Sequence, residues 1–367
     1  GTRAEYGLLR PLISKLNSDD HFELTLVATG MHLSEEFGST YKEIERDGFP
    51  IHSKVEALAT EDTKAGMSKA IGRATISFTD YFEVNRPDMV VVLGDRYEIF
   101  AAATAAAVLG IPIAHIHGGE VTEGAVDDFF RHSITKMSTL HFTSAQKYRE
   151  RVIQFGENPN YVYNVGALGV ENILTLPLLS KEELEKQLAL SLVQPYALVT
   201  FHPETQGENQ PLEQLEELFQ ALDSVQNMNY IFTKANSDAL GRKINEKIDG
   251  YVSTRENAVV FVSMGVLKYL SAMKYASMVI GNSSSGILET PIFKIPTINI
   301  GDRQKGRQMP ESVINCFADK HSIIEAVEKA KDKNFLDKIR KQENIYGNGS
   351  TSSLMIQEIY NYFHIQK

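Results

Sequence analysis

Short runs rich in Val and Ile alternate with longer stretches of helical periodicity along nearly the whole chain, and no other feature narrows the fold as far. Parallel strands cannot be joined by tight turns. They need crossovers, usually helical, so strand–helix alternation predicts an α/β protein with parallel sheets. In the first half "FELTLVAT", "MVVVLGD", "IPIAHIHGG" and "LHFTSA" read as strands, whereas "YGLLRPLISKL" and "RYEIFAAATAAAVLG" space apolar residues three and four apart and read as helices. A second series follows with "YALVTFHPE", "YIFTKAN", "AVVFVS", "MVIGNSS" and "PTINIGD". Between the series, from about Asn172 to Pro195, the pattern breaks at Pro177, offers Ser180 as a helix cap and continues as a charged helix. At 367 residues the chain exceeds what one core usually supports, so two doubly wound domains are expected. The opening "GTRAEYG" reads as the loop after a first strand that would precede Gly1.

Charge and cysteine usage exclude several classes. Lys+Arg 37 against Asp+Glu 47 gives a net charge of -10, which argues against nucleic acid or an anionic membrane as the main partner. The one cysteine, Cys316, allows neither an internal disulfide framework nor a multi-cysteine zinc site and fits a reducing compartment. The longest apolar stretch, "IFAAATAAAVLGIPIAHI", is Ala-rich and broken by Gly110 and Pro112, short of the roughly 18–20 residues that cross a bilayer. With no signal-peptide pattern at the N-terminus, the sequence predicts a cytoplasmic protein.

In open parallel sheets, ligands bind beyond the carboxyl ends of the strands, and the motifs gather there. Gly1, Arg3 and Ala4 precede a helix, where backbone N–H groups and a guanidinium can meet an anionic or heteroaromatic ligand. "VVVLGDRYE" ends an apolar strand in Asp95, which either acts on a ligand or caps the next helix. "IAHIHGGEVTEGAVDDFFRH", from Ile113 to His132, is the densest cluster of titratable groups. His115 lies within its strand and reads as a core histidine. His117, Glu120, Asp127 and Asp128 lie beyond it, where imidazole and carboxylates serve as acid and base, and Arg131 and His132 either hold the carboxylates or cap the helix. No metal-ligand spacing such as HExxH occurs there.

In the second half His202 ends a strand in "VTFHPET". "GNSSSG" joins a strand to a helix through Gly281, Asn282, Ser283, Ser284, Ser285 and Gly286, presenting N–H groups, hydroxyls and a helix start to phosphates. Glu289, one to two turns along that helix, is placed to accept hydrogen bonds from ribose hydroxyls. "INIGDRQKGRQMPES" brings Arg303, Lys305 and Arg307 to another strand end, a local anion site in an acidic protein.

Taken in order, "GTRAEY", "GDRYE", "HIHGGE" with "DD" and "RHSITK", "FHPET", "GNSSSG" with Glu289, and "INIGDRQKGR" make the chain resemble, over essentially its whole length, the hydrolysing UDP-N-acetylglucosamine 2-epimerases of sialic-acid and legionaminic-acid biosynthesis. The resemblance implies two Rossmann-like domains facing a cleft, the GT-B arrangement. The first would comprise residues 1–172, with "TSSLMIQEIYNYFHI" in 351–367 crossing back to it, and the second residues 173–350. It implies UDP mainly on the second domain, with Ser283 and Ser284 at the diphosphate and Glu289 at the ribose, while Arg3 and Ala4 approach the nucleotide from the first. It further implies loss of the C2 proton with departure of UDP to give a 2-acetamidoglucal, then addition of water to give N-acetylmannosamine. Asp95 and Asp127 match acidic catalytic positions and are the preferred C2 bases; His202 matches a histidine near the leaving diphosphate, and Arg307 lies in an anion-binding loop. Many sialic-acid members carry Glu where this chain has His117, which leaves the acid–base assignment and the sugar open. UDP-2,4-diacetamido-2,4,6-trideoxyglucose is the alternative substrate, and a non-hydrolysing epimerase, a GT-B glycosyltransferase and a binding regulator without turnover are the competing classes. A UDP-sugar is thus the expected partner, with no cofactor, no metal, no nucleic acid and no membrane, and with homodimers or homotetramers as the implied assembly.

Overall fold

The structure is a computed structural model that describes residues 1–35, 39–57, 63–121, 127–202, 211–235, 241–262 and 264–364, with the side chains of residues 3, 4, 64, 127, 241 and 242 outside that description. The chain divides into two compact units, Gly1–Leu174 with Ile345–Lys367 and Thr175–Asn344.

The first unit begins with α1 (Arg3–Asn17), which Thr2 and Glu5 start with a reciprocal capping box. There follow β1 (Val27–Thr29), α2 (Tyr41–Arg46), β2 (Ser53–Val55), α3 (Lys64–Val84), β3 (Val90–Leu93), α4 (Tyr97–Val108), β4 (Ile113–Ile116), α5 (Asp127–Met137), β5 (Leu140–Thr143), α6 (Gln146–Gln154), β6 (Val162–Asn164) and α7 (Leu168–Thr175). Strands β3 to β6 form a four-stranded parallel sheet in sequence order, and β1 pairs with β2 in a second parallel sheet. The strand expected from Phe22 starts only at Val27, because the His52 ring and backbone take up both polar groups of Leu26. β4 and β5 are buried throughout, as strands covered on both faces must be. Val92 and Ile113 point to one core with the alanines of α4, whose small side chains let α3 approach closely; Leu93, Ala114 and Ile116 point to the other. Each large aliphatic side chain buried this way contributes about 1.5–3 kcal/mol.

The second unit runs through α8 (Lys181–Leu188), β7 (Tyr196–Thr200), α9 (Pro211–Ser224), β8 (Asn229–Thr233), α10 (Gly241–Val252), β9 (Ala258–Phe261), α11 (Gly265–Tyr275), β10 (Met278–Gly281), α12 (Ser285–Leu288), β11 (Thr297–Ile300), β12 (Val313–Cys316), α13 (Lys320–Lys331) and α14 (Lys333–Lys341). Ser180 caps α8 in a capping box with Glu183, as the sequence predicts. All six strands are parallel in the order β12-β11-β10-β7-β8-β9, the doubly wound order whose direction of winding reverses between β7 and β10. Along β7, Ala197 and Val199 enter one core and Tyr196 and Leu198 the other. The expected α/β class with two Rossmann-like units is what the chain adopts.

The chain ends in α15 (Thr351–Phe363), which packs in the first unit beside α1, with Met355, Ile356, Ile359 and Tyr360 joining Leu12, Leu16, Leu140 and Phe142. Among the described residues no helix is long and apolar enough to cross a membrane.

Candidate functional site

In the first unit the polar side chains collect where β3 and β4 end. Gly94 turns the chain at φ +82°, and Asp95 follows. Asp95 does not cap α4: the N-cap position is Arg96, without a side-chain bond. Its carboxylate instead receives the guanidinium of Arg131. That buried guanidinium also donates to the Glu120 carbonyl at 2.9 Å and to Asp128 Oδ1 at 3.1 Å. One cation from α5 thereby ties the β3 end, the loop after β4 and its own helix start together, and of the two roles open to Arg131 the holding of carboxylates is the one realised. Asp127 opens α5, but its side chain lies outside the described residues, as do residues 122–126.

The "HIHGG" run builds a tight turn. His115 is fully buried with Nε2 2.8 Å from the Gly94 carbonyl and Nδ1 3.2 Å from Thr135 Oγ1, and burial pushes its pKa down to about 3, so it is the neutral core histidine the sequence predicts. His117 adopts a left-handed φ of +65°, unusual for a residue with a side chain and costly unless its surroundings enforce it. They do: its N–H donates to the Phe142 carbonyl at 2.8 Å, and a Cβ on Gly119 would come within 2.6 Å of the Tyr148 carbonyl oxygen, so only glycine lets the turn lie against α6. Arg151 closes that contact by donating to the Gly119 carbonyl at 2.6 Å. The turn sets His117 Nδ1 3.5 Å from Glu120 Oε1, and the same oxygen accepts from Ser144 Oγ at 2.6 Å. The Nε2 atom of His117 is buried with no partner among the described residues. His132 points elsewhere: its ring meets Phe155 edge-on, Nε2 is 3.6 Å from Asp128 Oδ2, and burial lowers its pKa.

In the second unit the polar groups flank the switch point between β7 and β10. A Cβ on Gly281 would lie 1.9 Å from the Thr200 carbonyl oxygen, so glycine is what permits the two strand ends to approach. Asn282, fully buried, then spans the gap with its amide: Oδ1 accepts from the His202 N–H at 2.7 Å and Nδ2 donates to the His202 carbonyl at 2.8 Å. Its own carbonyl accepts from Gln304 Nε2 at 2.9 Å and Arg303 Nη1 at 3.1 Å. His202 is thus positioned just beyond β7, while Pro203, Glu204 and Thr205 of the same motif lie outside the described residues.

The serine loop follows. Ser283 Oγ accepts from the Ser285 N–H at 3.4 Å, and Ser284 is the N-cap residue of α12. Gly286 lets α12 lie against β11, since a Cβ there would meet Thr297 Cγ2 at 2.6 Å; Thr297 Oγ1 donates to the Gly286 carbonyl at 2.7 Å. The expectation that Glu289 sits one to two turns along a helix is corrected. α12 is a single turn, Glu289 is its C-cap, and a 3₁₀ turn with Pro291 takes over, because the residue before a proline is driven from α geometry. Glu289 is nonetheless held, by Ser285 Oγ, which Tyr269 also meets at 3.1 Å. Burial raises the Glu289 carboxyl above its usual range, partly offset by the Ser285 bond. Arg303 and Arg307 belong to the turns after β11, with Arg307 closing on the Gln304 carbonyl at 3.3 Å and Lys305 on that of Asp302 at 2.9 Å through their N–H groups. Gly1, Arg3 and Ala4 stand at the start of α1, with the side chains of Arg3 and Ala4 outside the described residues.

Ser144, Gln304 and Tyr269 are constituents that motif reading passes over, and of Asn282 it gives the place in the loop but not the bonds to His202. Ser144 and Gln304 lie just after β5 and β11, so the strand-end rule itself was the signal that could have found them. Among the described residues no group of three or more His, Cys, Asp or Glu is arranged to hold a metal ion. Chemically, imidazole and carboxylates such as those of the first unit can transfer protons, and hydroxyls, N–H groups and arginines such as those of the second can bind an anion.

These features define a class: an α/β protein of two Rossmann-like units with polar sites at strand C-termini. A UDP-GlcNAc 2-epimerase from Neisseria meningitidis, solved bound to UDP-GlcNAc, has the same fold, with a TM-score of 0.77 at 16% identity over 98% of this chain and 98% of that one. The family model described as UDP-N-acetylglucosamine 2-epimerase matches residues 14–360. Two relatives are nearer in sequence. The GDP/UDP-N,N'-diacetylbacillosamine 2-epimerase (hydrolyzing) of Campylobacter jejuni is 44% identical over 91% of this chain and 86% of its own. The polysialic acid biosynthesis protein P7 of Escherichia coli is 41% identical over 94% and 88%. The chain belongs to the UDP-N-acetylglucosamine 2-epimerase family.

Proposed function

We propose that the protein is a hydrolysing 2-epimerase that converts UDP-N-acetylglucosamine to UDP and N-acetylmannosamine through a 2-acetamidoglucal. The observation that carries this reading is the division of polar chemistry: proton-transfer groups at the β3 and β4 ends, anion-directed groups at the β7–β10 switch point. In the first step a base takes the C2 proton, the C2–H electron pair becomes the C1=C2 bond, and the C1–O bond breaks with its pair leaving on UDP. In the second, water adds its oxygen to C1 and a proton returns to C2 on the opposite face.

The leaving diphosphate gains charge as it departs, and Ser283, Ser284, Arg303, Arg307 and His202 are the groups proposed to meet it, with Glu289 at the ribose. Arg3 and Ala4 are proposed to approach the nucleotide from α1. For the C2 proton, Asp95 is already engaged by Arg131, whereas His117 Nε2 has no partner among the described residues. We therefore assign the base to His117, with Asp95 and Asp127 proposed as supporting acidic groups.

A second substrate has its own support. The Campylobacter jejuni relative is named for N,N'-diacetylbacillosamine, the 2,4-diacetamido-2,4,6-trideoxy sugar. Proton NMR in deuterated water, with each UDP-sugar in parallel, tests both. Release of UDP with C2-deuterated N-acetylmannosamine is expected from UDP-N-acetylglucosamine. Turnover of the diacetamido sugar alone would keep the mechanism and change the substrate, and turnover of neither would end the epimerase proposal.

A further inference from the structure

The side chains beyond β4 form a chain of contacts that ends at a buried hydroxyl after β5. His117 Nδ1 faces Glu120 Oε1 at 3.5 Å, and Ser144 Oγ, buried after β5, donates to that same oxygen at 2.6 Å. The imidazole is thus flanked on one side by a carboxylate that is itself fixed, while the nitrogen on the other side has no partner among the described residues. The left-handed backbone of His117 and the close approach of Gly119 to α6 fix the main chain that carries the ring.

We infer that Glu120 and Ser144 are positioning residues for His117: Glu120 holds the ring with its proton on Nδ1, Ser144 holds Glu120, and Nε2 is left as the proton acceptor. A histidine tautomer is set by the bond its other nitrogen makes, and a base oriented by a third group is the recurring logic of proton-transfer sites. The 3.5 Å separation is long for a hydrogen bond, and such contacts tighten when substrate binds. Other titratable and charged groups around this turn are His115 of β4, Arg131 of α5, His141 of β5 and Arg151 of α6; His117, Arg131 and His141 all act on His115 electrostatically, and Arg151 bonds the Gly119 carbonyl. Among the described residues Glu120 is the carboxylate paired with the His117 ring. The inference rests on the epimerase reading for the identity of the proton taken, but the tautomer does not depend on it.

The test uses the full chain labelled with ¹⁵N-histidine, with two-bond ¹H–¹⁵N correlations assigned by the signals that His117→Gln removes. At pH 8, His117 is expected as the Nδ1–H tautomer. Glu120→Gln, which keeps an acceptor, should retain it, and Glu120→Ala should lose it. In kinetics, Glu120→Ala should lower kcat about tenfold with KM little changed, and Glu120→Gln should restore most of the loss. Ser144→Ala should lower kcat about tenfold, below the roughly 10²–10⁴-fold that a general base itself contributes, with KM little changed. An Nε2–H tautomer in the unaltered protein would overturn the inference, as would a Glu120→Gln protein as inactive as His117→Gln, because Glu120 would then act on substrate itself. The expected tautomer in a protein that turns over neither UDP-sugar would leave the relay standing and remove the epimerase reading.

Discussion

At the residue scale, Asn282 illustrates how an uncharged side chain organises a charged neighbourhood. Its amide makes two reciprocal bonds with the His202 backbone, and its carbonyl takes both Gln304 and Arg303. Asn282→Ala would leave the His202 N–H and carbonyl without these partners, at a cost of about 2 kcal/mol given the usual penalty for unpaired polar groups. Urea unfolding followed by tyrosine fluorescence should show that loss, with Asn282→Asp intermediate because it keeps the acceptor and loses the donor; an unchanged midpoint for Asn282→Ala would contradict the assigned role. The charged members of the site were legible in the sequence because acids, bases and arginines advertise their chemistry by type. Ser144 and the bonds of Asn282 to His202 were not, because they depend on what the fold puts opposite these side chains, and a single sequence does not record the Thr200–Gly281 approach or the bond between Ser144 and Glu120.

At the element scale, α15 is secured by one buried carboxylate. Glu171 on α7 accepts from the Ser352 N–H at 2.6 Å and from Ser352 Oγ at the helix start, and pairs with Lys15 of α1 at 2.9 Å. Removing one member of a buried charged network typically costs about 3 kcal/mol or more, so Glu171→Ala should free α15 well before the rest of its unit. Hydrogen exchange would show this as early labelling of residues 351–363; uniform protection of α15 in the variant would refute it. The helical character of this segment was visible in its apolar spacing. Its anchor was not, since Lys15, Glu171 and Ser352 come together only through tertiary packing. Element lengths were the weaker part of the sequence reading: the strand at Phe22 and the helix carrying Glu289 both proved shorter, one through a side chain competing for the ladder and the other through Pro291.

At the scale of the whole molecule, the two units should respond differently to acid. His32 and His141 are each pushed down to about 4 and His115 to about 3, chiefly by burial, and His132 is lowered for the same reason; all four lie in the first unit. A histidine that is neutral when folded and takes a proton at an ordinary pKa near 6.5 when unfolded stabilises the fold above about pH 6.5. That contribution is lost as pH falls from about 6.5 toward the folded values. The second unit holds only His202 and His321. Hydrogen exchange between pH 7 and 4.5 should therefore show protection falling in β4 and β5 ahead of β7 and β10, whereas parallel loss in both sheets would refute the assignment. The two-unit organisation itself was legible, because strand–helix alternation restarts after a proline break.

The first unit is assembled from two stretches of chain separated by the whole of the second, and α15 fills part of its core. During translation the second unit can complete its sheet while the first still waits for its last helix to leave the ribosome. Until then Leu12, Leu16 and Phe142 lack the part of their cover that α15 supplies, so the nascent chain passes through an interval in which apolar surface of its first unit is exposed.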